Sequence, residues 1–337
     1  MADECTLDLL LREAIEKNAS DVHIVCGQIP KLRIHGRLYS LGSCAVSAEA
    51  VRIFLKAVLS DVQRLHLEQE RQLDFAFTEA ERRFRGVAYY ALGETALSLR
   101  LLPRDIPTPD ALGMPSALRS LTGEKHGLIL IGGKTGSGKS TTLAAFLEEI
   151  NQTRDAHVLT LEDPIEVIFT PKRAVISQRE LGRDFTSFPE GLKAALRSDP
   201  DILMIGELRE AQTMRIALQA AETGTLVLAT LHTKNAVEAA IRIEGMFPSE
   251  EQEQIRQQLA AALLGVFSQR LLPMKGEGRI AATEVLLTTP AVKNILRTGK
   301  FAQLANVILS GRSQGMQSMH DAIRLLEKQG KIASSTM

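Results

Sequence analysis

Gly133-Lys134-Thr135-Gly136-Ser137-Gly138-Lys139-Ser140-Thr141 stands between an unbroken apolar run, 128–131, and a segment of helical character, 139–150. A polyphosphate is highly charged, so binding it needs many donors converging at close range. Glycines let backbone N–H groups close around the phosphates, and the N-terminus of the following helix adds a positive dipole. Lys139 can reach the β/γ oxygens and Ser140 can ligate Mg²⁺. Strand, loop and helix in this order predict a phosphate-binding loop for ATP with Mg²⁺. Its expected contacts are Gly133, Thr135, Gly136, Ser137, Gly138, Lys139, Ser140 and Thr141.

Outward from this loop, short apolar runs alternate with helical segments. Strands are expected at 128–131, 157–161, 202–205 and 225–231, and helices at 139–150, 190–196 and 211–221. Continuous Val/Ile/Leu runs suit strands buried on both faces, and intervening helices imply parallel crossovers, hence an α/β core. Beyond Pro248 the chain reads as mostly helical, with one further strand at 279–286. On the N-terminal side, Leu7, Leu10, Leu11 and Ala14 recur at helical spacing within 6–17. Alternating patterns predict strands at 21–26, 31–34, 73–77, 84–88 and 96–102, with a helix at 48–59. Pro103, Pro107, Pro109 and Pro115 mark a connector, because proline removes donors and blocks helix continuation. The expected organisation is an α+β domain over 1–102, a linker over 103–115, and an α/β ATPase domain over 116–337 with a helical C-terminal part.

Four further features carry chemistry. Ile202-Leu-Met-Ile-Gly-Glu207 sets a carboxylate after a buried strand, where it can hold Mg²⁺ through water. Glu162, Asp163 and Glu166 follow the strand at 157–161, and a carboxylate there can orient and polarise the attacking water. Spacing alone leaves the choice among the three open. His232 ends the strand at 225–231, where it can sense the γ-phosphate or the attacking water. Arg82, Arg83, Arg85, Arg100, Arg197, Arg209 and Arg270 are candidates to neutralise transition-state charge.

Composition narrows the classes. Lys+Arg and Asp+Glu are both 40, and there is no Trp and only 3 Tyr, so neither a basic surface nor stacking residues support a nucleic-acid translocase. Cys5, Cys26 and Cys44 are far apart and form no CxxC pair, which predicts a reducing, cytoplasmic setting without a zinc site. The N-terminus carries acids where a signal peptide needs basic residues. No apolar run approaches the roughly 20 residues of a membrane span.

At this point the chain resembles the PilT family of hexameric secretion-type ATPases, which retract type IV pili. Ala19-Ser-Asp-Val-His-Ile24 is similar to the family's opening motif, and Gly136-Ser-Gly-Lys-Ser-Thr-Thr-Leu-Ala144 to its Walker A run. Leu159-Thr-Leu-Glu-Asp-Pro-Ile-Glu166 is similar to its Asp box, and Ser198 to Arg209 to its Walker B region. Ala220-Ala-Glu-Thr-Gly224 with Thr230-Leu-His-Thr233 is similar to its His box. Ala291-Val-Lys-Asn-Ile-Leu-Arg297 resembles its retraction motif with mild changes.

The resemblance implies a RecA-like motor core preceded by a smaller, PAS-like N-terminal domain. It also implies Glu166 as the catalytic glutamate, Glu207 as the Walker B glutamate, His232 as the His-box histidine, and Arg85 and Arg100 reaching the nucleotide. It further implies a homo-hexamer at the inner face of the cytoplasmic membrane, acting on an inner-membrane platform protein, with other pilus motor ATPases as companions. Lys134 departs from the family's usual proline, and Lys300-Phe301 drifts from its pattern. The start at the ASDVHI region and the lack of a four-cysteine motif favour the retraction branch over extension and type II secretion ATPases. A short secretion ATPase of the same superfamily is the alternative in the same class. A non-hydrolysing nucleotide-binding ring is the alternative in another class.

Overall fold

The computed structural model describes residues 6–276 and 278–334, so Cys5 and the first acids, Asp3 and Glu4, lie outside the described residues. The described residues form two compact units. Unit 1 takes the chain up to Asp105 together with Asp163–Ile168 and Arg179–Ser187, and unit 2 takes Ile106–Glu162, Phe169–Gln178 and the remainder from Phe188. The second and third segments of unit 1 come from the middle of the ATPase sequence, which no linear boundary contains.

Unit 1 holds an antiparallel sheet of β1 (Asp21–Ile24), β2 (Lys31–Ile34), β3 (Arg37–Ser40), β4 (Gln72–Glu79), β5 (Arg82–Ala91) and β6 (Glu94–Leu101). Its order is β3-β2-β1-β6-β5-β4. Three hairpins turn on two residues, His35-Gly36, Ala80-Glu81 and Leu92-Gly93, all with positive φ. Two positive-φ residues make the turn whose twist matches that of the strands. Alternation sends Val22, Ile24, Phe75, Phe77, Phe84, Leu97 and Leu99 into a core shared with the helices Leu7–Glu16 and Ala48–Val58. Gly86 is required there, because a Cβ would lie 2.6 Å from the Phe75 ring and 2.9 Å from Leu99. The opposite face carries Asp21, His23, Ser98, Arg85 and Arg100, with Arg85 and Arg100 directly paired across β5 and β6.

Unit 2 is built on β7 (Gly127–Gly132), β8 (His157–Glu162), β9 (Val175–Glu180, whose last two residues group with unit 1), β10 (Ile202–Ile205), β11 (Leu226–Leu231), β12 (Leu263–Pro273) and β13 (Arg279–Leu287). The order is β13-β12-β7-β11-β10-β8-β9. β12, β7, β11, β10 and β8 run parallel, and β13 is antiparallel to β12. β7, β10 and β11 are buried throughout, as their unbroken apolar runs require. Gly132 pairs with Leu231 and Ser268, and Ile205 with Ala229 and Leu161. The C-terminal ends of these strands therefore share one edge, where open α/β sheets bind ligands.

The mixed α/β architecture and every expected strand are present. Three strands, the helix Asp61–Glu70 and the short helices Pro109–Leu112 and Ser116–Ser120 differ from expectation. β12 occupies a stretch expected to be helical. It follows the helix Ser249–Ala262 with no turn residue between Ala262 and Leu263, and a buried apolar run does not reveal whether it is strand or helix. β3 is exposed along its whole length and β9 is largely half-buried, so neither shows the alternation that betrays a strand. The helix Asp61–Glu70 also lacks an apolar stripe and starts from a Ser60–Gln63 capping box. Within the proline-rich connector, Pro109 begins a short helix, Pro109–Leu112, capped by Thr108. Proline is tolerated at that position, where its missing donor would have no partner anyway.

Candidate active site

The loop after β7 is shaped by its glycines. Gly133, Gly136 and Gly138 have φ of 149°, 76° and 91°. A Cβ on Gly133 would lie 2.2 Å from Ser137 Oγ and 2.8 Å from the Gln269 carbonyl. Gly133 N donates to Leu231 O at 3.2 Å and Ser137 N to Lys134 O at 3.1 Å, tying the loop to β11 and to itself. Lys139, first residue of the helix Lys139–Thr153, is 9% exposed. Its ammonium donates to Gly133 O at 2.7 Å and to Lys134 O at 3.2 Å. An ammonium has three protons, so one remains for a phosphate oxygen. Burial pulls the Lys139 pKa down, and Glu207 partly offsets this. Ser140 and Thr141 are exposed in the first turn, as is Thr135 in the loop.

Glu207 is delivered by β10. Gly206 N donates to Leu161 O at 2.8 Å and Leu208 N to Thr230 O at 3.0 Å, so the chain stays locked between β8 and β11 past the end of the strand. The carboxylate meets Arg209 Nη2 at 2.8 Å and His232 Nε2 at 3.4 Å. Burial raises its pKa, but Arg209, His232 and Lys139 together hold it below the ordinary value. The other ring nitrogen of His232 lies 3.5 Å from Thr135 Oγ1. A line Glu207–His232–Thr135 thus runs from the strand ends to the phosphate loop. Thr142 Oγ1 accepts from Gln269 Nε2 at 2.8 Å, a buried bond between the loop helix and β12. Gln269 was not expected beside this helix, because β12 itself was not expected.

Glu162 is held within unit 2, where its Oε1 accepts from Thr160 Oγ1 at 2.6 Å and Gln178 Nε2 at 3.2 Å. Asp163 and Glu166 belong to unit 1 with Arg85 and Arg100. Arg85 Nη1 donates to Glu166 Oε1 at 2.7 Å and Nη2 to Asp74 Oδ1 at 3.3 Å. Arg100 Nε donates to Asp21 Oδ1 at 2.9 Å, a partner that sequence reasoning did not single out. Arg83 grips the carbonyl of Ile165 beside Glu166 through Nε at 3.0 Å and Nη2 at 2.8 Å. Cys26 and Cys44 are free thiols. No helix among the described residues is long and apolar enough to cross a membrane.

The family model described as type II/IV secretion system protein matches residues 4–277. The chain is 44% identical over 320 residues to the uncharacterized protein YggR of Escherichia coli (strain K12), covering 95% of this chain and 97% of that one. It is 38% identical over 325 residues to the type IV pilus retractation ATPase PilT of Pseudomonas aeruginosa, covering 96% and 94%. A crystal structure of the pilus retraction motor PilT with bound ADP superposes with a TM-score of 0.89 at 41% identity, over 98% of this chain and 95% of that chain.

Proposed function

Because the chain belongs to the type II/IV secretion system protein family, we propose that it is an ATPase motor, working as a ring of six copies, that powers type IV pilus retraction. The observation that carries this reading is the convergence of Lys139, Glu207, His232 and Thr135 on one sheet edge, in a chain similar over its length to PilT. In this reading the loop from Gly133 to Thr141 cradles the phosphates and Lys139 neutralises them. Glu166 orients and polarises the attacking water, His232 senses the γ-phosphate, and Arg85 and Arg100 reach the nucleotide.

Magnesium fits the donors available. Among the described residues no cluster of three or more His, Cys, Asp or Glu could hold a metal by itself. Mg²⁺ keeps several waters and binds through one or two protein ligands plus phosphates. Ser140 would supply one oxygen, and Glu207, held charged by its cationic neighbours, would act through water. When bound, the ion neutralises phosphate charge.

The chain works in the cytoplasm, and its force reaches the membrane through a platform protein. A second reading keeps the same motor but attaches it to another assembly or secretion machine. It has in its favour that the chain is also 35% identical over 277 residues to a type II secretion system protein E of Aeromonas hydrophila, covering 79% of this chain and 53% of that one. Cells whose chromosomal copy carries Glu166→Gln separate the two. More pili with lost surface motility support retraction, absent pili point to assembly, and unchanged pili and motility overturn the pilus assignment.

A further inference from the structure

We infer that Arg83 and Glu180 are positioning residues for Glu166, a paired clamp that fixes the main chain of Ile165 and thereby the neighbouring carboxylate. This rests on the reading of Glu166 given above.

Both backbone polar groups of Ile165 are taken by this pair. Ile165 N donates to Glu180 Oε2 at 3.1 Å, and Ile165 O accepts from Arg83 Nε at 3.0 Å and Nη2 at 2.8 Å. The pair is closed by Arg83 Nη2 to Glu180 Oε2 at 3.3 Å, with side chains only 13% and 3% exposed. A buried ion pair is a weak route to stability, because desolvation offsets much of the attraction. Its value here is geometric: a planar guanidinium fork and a carboxylate oxygen define where one peptide unit sits. Arg83 and Arg85 leave β5 two residues apart, on the same face. One holds the Ile165 carbonyl and the other the Glu166 carboxylate.

The clamp is itself braced. Glu180 N donates to Asp184 Oδ2 at 2.8 Å, and Asp184 N returns a bond to Glu180 O at 2.8 Å. Gly182 N donates to Phe185 O at 2.8 Å, and Gly182 O accepts from Ser60 Oγ at 3.2 Å. Ser60 is the N-cap of the helix Asp61–Glu70, so the turn carrying Glu180 is anchored to regular structure of unit 1. A water-activating carboxylate is sensitive to placement, and a 1 Å error costs on the order of 100-fold in rate.

The test uses the full-length protein with Arg83→Lys, which keeps the charge but loses the fork, and Glu180→Gln, which keeps the shape but loses the charge. Each is made alone and on a Glu166→Gln background, and ATP turnover is measured beside binding of a fluorescent ADP analogue. The expected result for each single variant is kcat lower by about 10–100-fold. ADP affinity should change by less than about threefold. On the Glu166→Gln background the same changes should lower the residual turnover no further, because they act through the residue already removed. Full turnover in both single variants, or an equal loss in both backgrounds, would overturn the clamp. Wild-type turnover in Glu166→Gln alone would instead remove the reading of Glu166. The two variants disturb the clamp from opposite ends, so a folding failure in one leaves the other to decide.

Discussion

From Gly133 to Ser140 the chain is bent mainly by its own glycines, with one bond to β11, whereas from Asp163 to Ile168 it is held by side chains from other elements. Three positive-φ glycines bend the phosphate loop, and its lysine bonds carbonyls five and six residues upstream. The Glu166 segment takes its fixings from Arg83 and Arg85, more than 80 residues earlier, and from Glu180. A cradle made of N–H groups needs only local conformation, and so it can be written in a short motif. A carboxylate that must stand at one place needs bonds from elements it does not choose.

That contrast ranks the effects of perturbing each region. The largest is expected in the loop itself. Lys139→Ala removes the buried cation of the cradle, and ATP turnover should fall by about 10²–10³-fold or more. Turnover near the wild-type value would mean that Lys134 or another cation does its work. Next comes Gly133→Ala, which places a Cβ 2.2 Å from Ser137 Oγ at a φ of 149°. Its strain should destabilise unit 2 by about 1–3 kcal/mol, read from thermal melts, with weakened ADP binding. An unchanged melting temperature would show that the backbone is less constrained than the contrast requires.

The smallest effect concerns pH. Cationic neighbours, Arg209 first, outweigh burial and hold Glu207 below its ordinary 4.5. A depressed carboxylate contributes stability above its unfolded pKa and loses it as pH falls through the folded value. Melting temperature should therefore drop on the acid side of about pH 4.5, and Glu207→Gln should remove part of that drop, by less than about 4 °C. An identical acid limb in both proteins would show that Glu207 is not held charged.

The same physics decides what could be read from the sequence. Strands β7, β10 and β11 announce themselves as unbroken apolar runs, and the residues at their ends, Gly133, Glu207 and His232, follow from them. Spacing narrowed the water-orienting acid to Glu162, Asp163 and Glu166 and stopped there. Family likeness pointed to Glu166. In the structure Glu162 is engaged by Thr160 and Gln178, while Glu166 sits with Arg85 in the other unit. Gln269 escaped notice because β12 reads equally well as helix. Glu180 escaped because β9 is half-buried, and nothing near it in sequence names its partner. Arg83 was visible only as one of several arginines, and its role depends on a carbonyl 82 positions away.

The most direct test of the account is ATP turnover by the purified protein and its Glu166→Gln variant, with ADP binding measured on the same samples. A loss of turnover of about 10²–10⁴-fold with ADP binding retained is the predicted result, since a general base is removed and the cradle is left intact. Turnover unchanged by the substitution would contradict it, and would place the water-orienting acid elsewhere.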